Sequence, residues 1–195
     1  MGMSNRWRIR SLPLLVALAV LAAACGDDDT VTTGNGAPPP GAAEVAVQVI
    51  VDGGFVPVQV ALRTIPTVTI LSDGTVITPA LVPMIYPGPA IAPLQAGTIT
   101  ADELAALLDR ARDDGLLDEP LDFGSPPVAD LPTTRVTISA DGRTVQHEAY
   151  ALEEDSGVEP DQAANRRLLR DFVAAVTDAA VGDRLWTPSA VAATV

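Results

Sequence analysis

The chain has 195 residues, of which 25 are acidic and 12 basic, for a formal net charge of −13. An acidic surface of that strength repels phosphate backbones and anionic headgroups, which disfavours nucleic-acid binding and a polybasic membrane patch and leaves basic or cationic partners open. All 12 basic residues are arginine, so Schiff-base chemistry and phosphate loops that need a lysine are excluded.

Taken from the start, Arg6, Arg8 and Arg10 precede an uncharged run from Ser11 to Ala24, the charged and apolar regions of a secretory signal. The run is shorter than the roughly 20 apolar residues of a spanning helix. It is followed at once by Gly26-Asp27-Asp28-Asp29, so it reads as a signal and not as a stop-transfer span. Leu21-Ala22-Ala23-Ala24-Cys25 resembles the lipobox of bacterial lipoprotein precursors, with Ala22 in the place usually held by leucine. The resemblance covers only the signal. It implies that residues 1–24 are removed, that a diacylglyceryl group is attached to the Cys25 sulfur, and that the new amino terminus is open to acylation. The chain is then held on the extracytoplasmic face of the cell membrane. A plain signal peptide with an incidental cysteine is the competing reading. Each buried acyl CH₂ contributes about 0.8 kcal/mol, so one chain anchors marginally and two or more anchor firmly.

Cys25 is the only cysteine, so no intrachain disulfide forms, and a lipidated Cys25 cannot serve as nucleophile or metal ligand. Three of the 12 arginines and none of the 25 carboxylates precede it, which leaves the mature chain at −16. Arginine without lysine, beside abundant Ala, Val, Asp and Pro, resembles the coding bias of GC-rich bacteria such as actinobacteria.

Residues 25–41 are acidic, then rich in Thr, Gly and Pro, and have nothing to bury; they are expected to form a tether. A single domain is expected over 42–187, with a tail at 188–195. Val45, Val47, Val49 and Val51 alternate with Ala46, Gln48, Ile50 and Asp52, the period of a strand, and Gly53-Gly54 ends it. Val58–Leu62 and Thr67–Leu71 read as two further strands. Asp73-Gly74 then turns the chain into Val76-Ile77-Thr78, a hairpin signal. Ala80–Pro93 is apolar yet broken by four prolines, so it suits neither helix nor central strand.

Thr100-Ala101-Asp102-Glu103 is a capping box opening a helix whose inner face is Leu104, Leu107, Leu108 and Ala111, with Gly115 as its stop. Val136-Thr137-Ile138 leads through Asp141-Gly142 into Val145–Ala149, a second hairpin. Pro160 opens the last helix, with Leu168, Leu169, Phe172, Val173 and Val176 as its apolar stripe and Gly182 as its expected end. Strands, helix, hairpin and helix in that order predict an α+β fold, a mainly antiparallel sheet of five to six strands with two helices packed on it. The run from Thr67 to Tyr150 resembles uncharacterised domains of exported bacterial proteins, a resemblance that implies no activity.

No catalytic, cofactor-binding or metal-ligating residue is assigned. His147, the only histidine, shares a strand face with Val145 and Ala149 and is expected to be packed or half-exposed rather than a general base. Asp122-Phe123-Gly124 copies the magnesium tripeptide of kinases without the rest of that machinery and is expected in a loop. The carboxylate groups at Asp113-Asp114, Asp118-Glu119-Asp122 and Glu153-Glu154-Asp155 lack EF-hand spacing and read as solvated loops. The expected role is a non-enzymatic, lipid-anchored envelope module that contacts an envelope protein or apolar ligand through Met84, Ile85 and Tyr86. A carrier of lipid or another hydrophobic ligand is the alternative, and a hydrolase a more remote one.

Overall fold

A computed structural model describes residues 43–57, 61, 64–82 and 92–186. The signal, Cys25, the tether, the tail and the contact residues Met84, Ile85 and Tyr86 lie outside the described residues.

Seven strands form one sheet: β1 (Val45–Gly53), β2 (Val68–Leu71), β3 (Thr75–Pro79), β4 (Leu94–Thr98), β5 (Pro132–Ala140), β6 (Arg143–Tyr150) and β7 (Arg184–Trp186). Their order is β6-β5-β1-β2-β3-β4-β7, and every neighbouring pair is antiparallel. Helices α1 (Ala101–Asp113) and α2 (Pro160–Ala179) complete the α+β fold.

The sheet thus has seven strands and not five to six. The additional ones are β4 and β7. Neither Leu-Gln-Ala-Gly-Thr nor Arg-Leu-Trp carries a β-branched alternation, and both are strands because tertiary pairing makes them so. A Cβ on Gly97 of β4 would lie 1.9 Å from the Val181 carbonyl oxygen, so only glycine lets that backbone cross the strand. The strand expected at Val58–Leu62 lies mostly outside the described residues. Ala61, its one described member, is helical, with its N–H donating to Pro57 O at 3.1 Å.

Both Asp-Gly turns are present. Gly74 has φ +83° and Thr75 N–H donates to Asp73 Oδ1 at 2.9 Å; Asp141 and Gly142 have φ of 54° and 73°, the pair of left-handed residues a two-residue hairpin demands. Thr100 Oγ1 accepts the Glu103 N–H (3.2 Å) and Glu103 Oε2 accepts the Thr100 N–H (2.7 Å), completing the expected capping box of α1. Gly115, φ +72°, closes that helix as Leu116 N–H returns to Ala111 O at 2.8 Å. Helix α2 ends at Ala179, before the expected Gly182, whose backbone instead packs against the Gln95 side chain.

Alternation along the strands sends Val47, Val49, Val68, Ile70, Val76, Val136 and Ile138 to one face. There they form a single core with Leu104, Leu107 and Ala111 of α1 and Leu169, Phe172 and Val176 of α2. Leu116, Leu117 and Phe123, from the segment joining α1 to β5, fill the same core. The opposite face carries Arg135 directly across from Glu148 of β6 and Ile50 of β1, with Asp52 diagonal to it two positions along β1. Arg135 bridges the two carboxylates, with Nε at 2.9 Å from Glu148 Oε1 and Nη1 on Asp52 Oδ2. Among the described residues no helix is long and apolar enough to cross a membrane.

Candidate functional site

The titratable groups that could do chemistry gather where residues 114–131 cross the β5–β6 hairpin and α2. Period-two alternation turns Val145, His147 and Ala149 inward and Thr144, Gln146 and Glu148 outward, so His147 is fully buried on the core face. Its Nδ1 accepts the Leu121 N–H at 3.4 Å. A backbone N–H only donates, so the proton sits on Nε2, which donates to Leu116 O at 2.8 Å. The Phe123 ring stands edge-on to the imidazole, 5.8 Å between centroids at 84°. Burial lowers the His147 pKa from 6.5, outweighing the hydrogen bond to Leu116, and holds the ring neutral. Both nitrogens are thus committed to backbone groups and neither faces a substrate.

Arg166 is the polar residue that sequence reasoning missed. It occupies an inward position on α2, three residues before Leu169, and is fully buried. Its guanidinium donates to Phe123 O (2.9 Å), Tyr150 O (3.1 Å) and Ala151 O, and its Nε to Asp155 Oδ1 (3.1 Å). Asp155 is held a second time by Arg170, through two bonds of 2.8 Å each. The Arg170 hydrogen bonds, followed by the Arg166 pair, keep the Asp155 carboxyl below its ordinary pKa. The spacing of 166, 169, 172 and 176 was the available signal: an arginine in register with an apolar stripe is either misplaced or fully paired.

Asp122-Phe123-Gly124 is a loop, as expected, and is stitched to α2. Asp122 accepts the Gly124 N–H at 2.8 Å and Gln162 Nε2 at 2.9 Å, which lower its pKa in that order, and Asn165 Nδ2 donates to Asp122 O at 2.9 Å. Tyr150 continues the line, its hydroxyl donating to Val128 O (3.0 Å) and accepting the Leu131 N–H (3.4 Å). Histidine, arginine, aspartate and tyrosine here satisfy a connection that would otherwise bury orphan backbone groups.

Among the described residues the acidic clusters do not converge into a group of three or more metal-ligating side chains. Asp114 faces Arg110 (3.5 Å), Asp155 faces Arg166 and Arg170, and Glu154 accepts the Ser156 N–H (3.0 Å). A surface hollow of about 280 Å³ lies between Arg112, Leu117, Asp118, Ala140, Asp141 and Arg143. Its two arginines are engaged: Arg112 with Asp141 (2.9 Å) and Asp109, Arg143 with Asp118 O.

The expected contact residues lie outside the described residues, but the stem on either side of them is described. Pro79 pairs with Leu94, and Ala80 N–H donates to Pro93 O at 2.9 Å, so the chain leaves and re-enters the sheet at one point, as the connection of the β3–β4 hairpin. At its root Leu81 is 97% exposed and Val82 45%. A second apolar spot, Val51, Phe55, Val56 and Leu131, lies where β1 ends, with Phe55 89% exposed. The chain matches no protein-family model and no curated protein.

Proposed function

We propose that this protein is a lipid-anchored, exported envelope lipoprotein whose domain is a non-enzymatic binding module, with Met84, Ile85 and Tyr86 as its contact. The observation that carries the reading is the closed stem at Pro79–Leu94 and Ala80–Pro93 with Leu81 bare beside it. Leu81 and Val82 are the described apolar residues at that stem, and exposed apolar surface of this kind marks a contact site. The commitment of His147, Asp122, Asp155 and Arg166 to structural bonds supports the absence of catalysis in the reading. The carrier alternative draws no support from the core, where Phe172, Leu169, Leu116 and Ile138 are fully buried.

The test replaces Leu81–Ala92 by an Asn-Gly turn on the intact stem and uses cross-linking in intact cells followed by affinity capture. The expected result is an unchanged unfolding midpoint and loss of the captured envelope partner. Unchanged capture refutes the contact assignment.

A further inference from the structure

The two edges of the sheet differ. Strand β7 is three residues long, whereas β6 runs for eight and pairs with β5 without a register shift from Thr133↔Tyr150 to Ala140↔Arg143. Sheet edges are ordinarily blunted by proline, lysine, bulges or brevity, because free N–H and C=O groups invite another strand. Strand β6 has no proline, lysine or bulge and is not short; its only charged side chains are Arg143 and Glu148.

Which of its groups are free follows from one bond. Ala151 N–H donates to Pro132 O at 2.8 Å, which makes Thr133↔Tyr150 a non-hydrogen-bonded pair. Arg143, Val145, His147 and Ala149 therefore turn their backbone groups toward β5, and Thr144, Gln146, Glu148 and Tyr150 turn theirs outward. Tyr150 O is taken by Arg166. No hydrogen bond among the described residues reaches the outward backbone groups of Thr144, Gln146 and Glu148, whose side chains are all exposed.

We propose that this edge pairs with the same edge of a second copy, antiparallel about a twofold axis at Gln146. A twofold perpendicular to the sheet keeps each residue on its own face, so facing residues must share parity. Centring on Gln146 satisfies this and uses both backbone groups of Thr144, Gln146 and Glu148: Thr144 faces Glu148 of the second copy, Gln146 faces Gln146, and Glu148 faces Thr144, with about two hydrogen bonds per pair. The side-chain contacts agree. Gln146 Nε2 already donates to Glu148 Oε1 at 2.9 Å within the strand, which leaves its second N–H and its Oε1 for the Gln146 amide of the second copy, while Glu148 meets Thr144, whose hydroxyl also bonds Ser139 at 3.0 Å, and has its charge compensated by Arg135 at 2.9 Å. No like charges stand opposite one another at the seam. The net charge of −13 opposes association at long range. Screening over about 8 Å at physiological ionic strength removes most of that opposition, so the dimer strengthens with salt.

Single cysteines test the register in the purified full chain carrying Cys25→Ser. Facing residues of a hydrogen-bonded pair stand about 5.5 Å apart at Cα, within disulfide reach, whereas two copies of Thr144 are about 14 Å apart along the strands. Gln146→Cys is expected to form a disulfide dimer on oxidation. Thr144→Cys and Glu148→Cys are each expected to stay monomeric alone and to cross-link when mixed. Sedimentation of the unmodified full chain is expected to show a dimer that Gln146→Pro abolishes, because the lost N–H points away from β5 and the hairpin ladder stays complete. Gln146→Lys, which keeps every backbone bond and sets two like charges face to face, gives the same loss should the proline variant misfold. A monomer at all salt concentrations, or Thr144→Cys cross-linking alone as readily as Gln146→Cys, overturns the proposal.

Discussion

Replacing Arg166 by methionine removes a buried guanidinium and leaves an apolar side chain of similar length. Three carbonyls, of Phe123, Tyr150 and Ala151, then lose their donor, and Asp155 keeps only Arg170. A buried polar group left unsatisfied costs about 1–3 kcal/mol. Tyr150 O lies at the strand end, where water can partly replace the guanidinium, so two carbonyls carry most of the cost. Methionine packing against Leu169 and Phe172 returns part of it. The net loss is about 2–5 kcal/mol, the cost of two buried carbonyls left without a donor less what the methionine packing returns. With a urea m-value of about 2 kcal/mol/M, the midpoint falls by about 2 M, a shift easily read by circular dichroism. Arg166→Lys, which keeps the charge but cannot span all its partners, is expected to fall between the two. A midpoint shift under about 0.5 M for Arg166→Met, at unchanged m-value, would refute the reasoning that this side chain holds the 114–131 connection.

Other expectations follow from the same contacts. His147 is the only histidine and its folded pKa lies below 6.5, so the unfolded chain binds the extra proton. Its contribution is fully present above pH 6.5 and is lost as pH falls from 6.5 toward the folded value, with a slope of at most about 1.4 kcal/mol per pH unit. His147→Gln is expected to flatten the stability profile just below pH 6.5; the same slope in wild type and variant contradicts it. The carboxyls of Asp122 and Asp155 are lowered from 3.8, so their contribution is lost only below that region, as pH falls through their folded values. Gly97→Ala drives a Cβ into the Val181 carbonyl and is expected to cost about 1–3 kcal/mol. Amide exchange should rise in β4 and β7, and unchanged protection there would show that the crossing is not tight. Phe55→Ser, at a side chain 89% exposed, is expected to leave the midpoint within about 0.5 kcal/mol of wild type.

Wherever local chemistry decides the structure, the sequence was readable: the Thr100 capping box and both Asp-Gly turns stand, while the β1 alternation holds at Val47 and Val49 but not at the exposed Val51, and the α2 stripe holds at Leu169, Phe172 and Val176 but not at Leu168. Strands β4 and β7 were not legible, because their pairing depends on Gly97 admitting the Val181 backbone from 84 positions away in the chain. The buried polar line was half legible. His147 was placed on its inward face by alternation, but its partners Leu116 and Leu121 come from a connection without periodicity. Arg166 was hidden by its type, since arginine on a helix is ordinarily read as solvated.

In the proposed function Cys25, the sole thiol, is the lipid anchor that would hold the module at a membrane. Intact-mass measurement of the chain extracted from membranes tests this most directly. The expected species begins at Cys25 and carries a diacylglyceryl group, with or without a further acyl chain on its amino terminus. A chain retaining residues before Cys25, or one beginning elsewhere with an unmodified thiol, contradicts it.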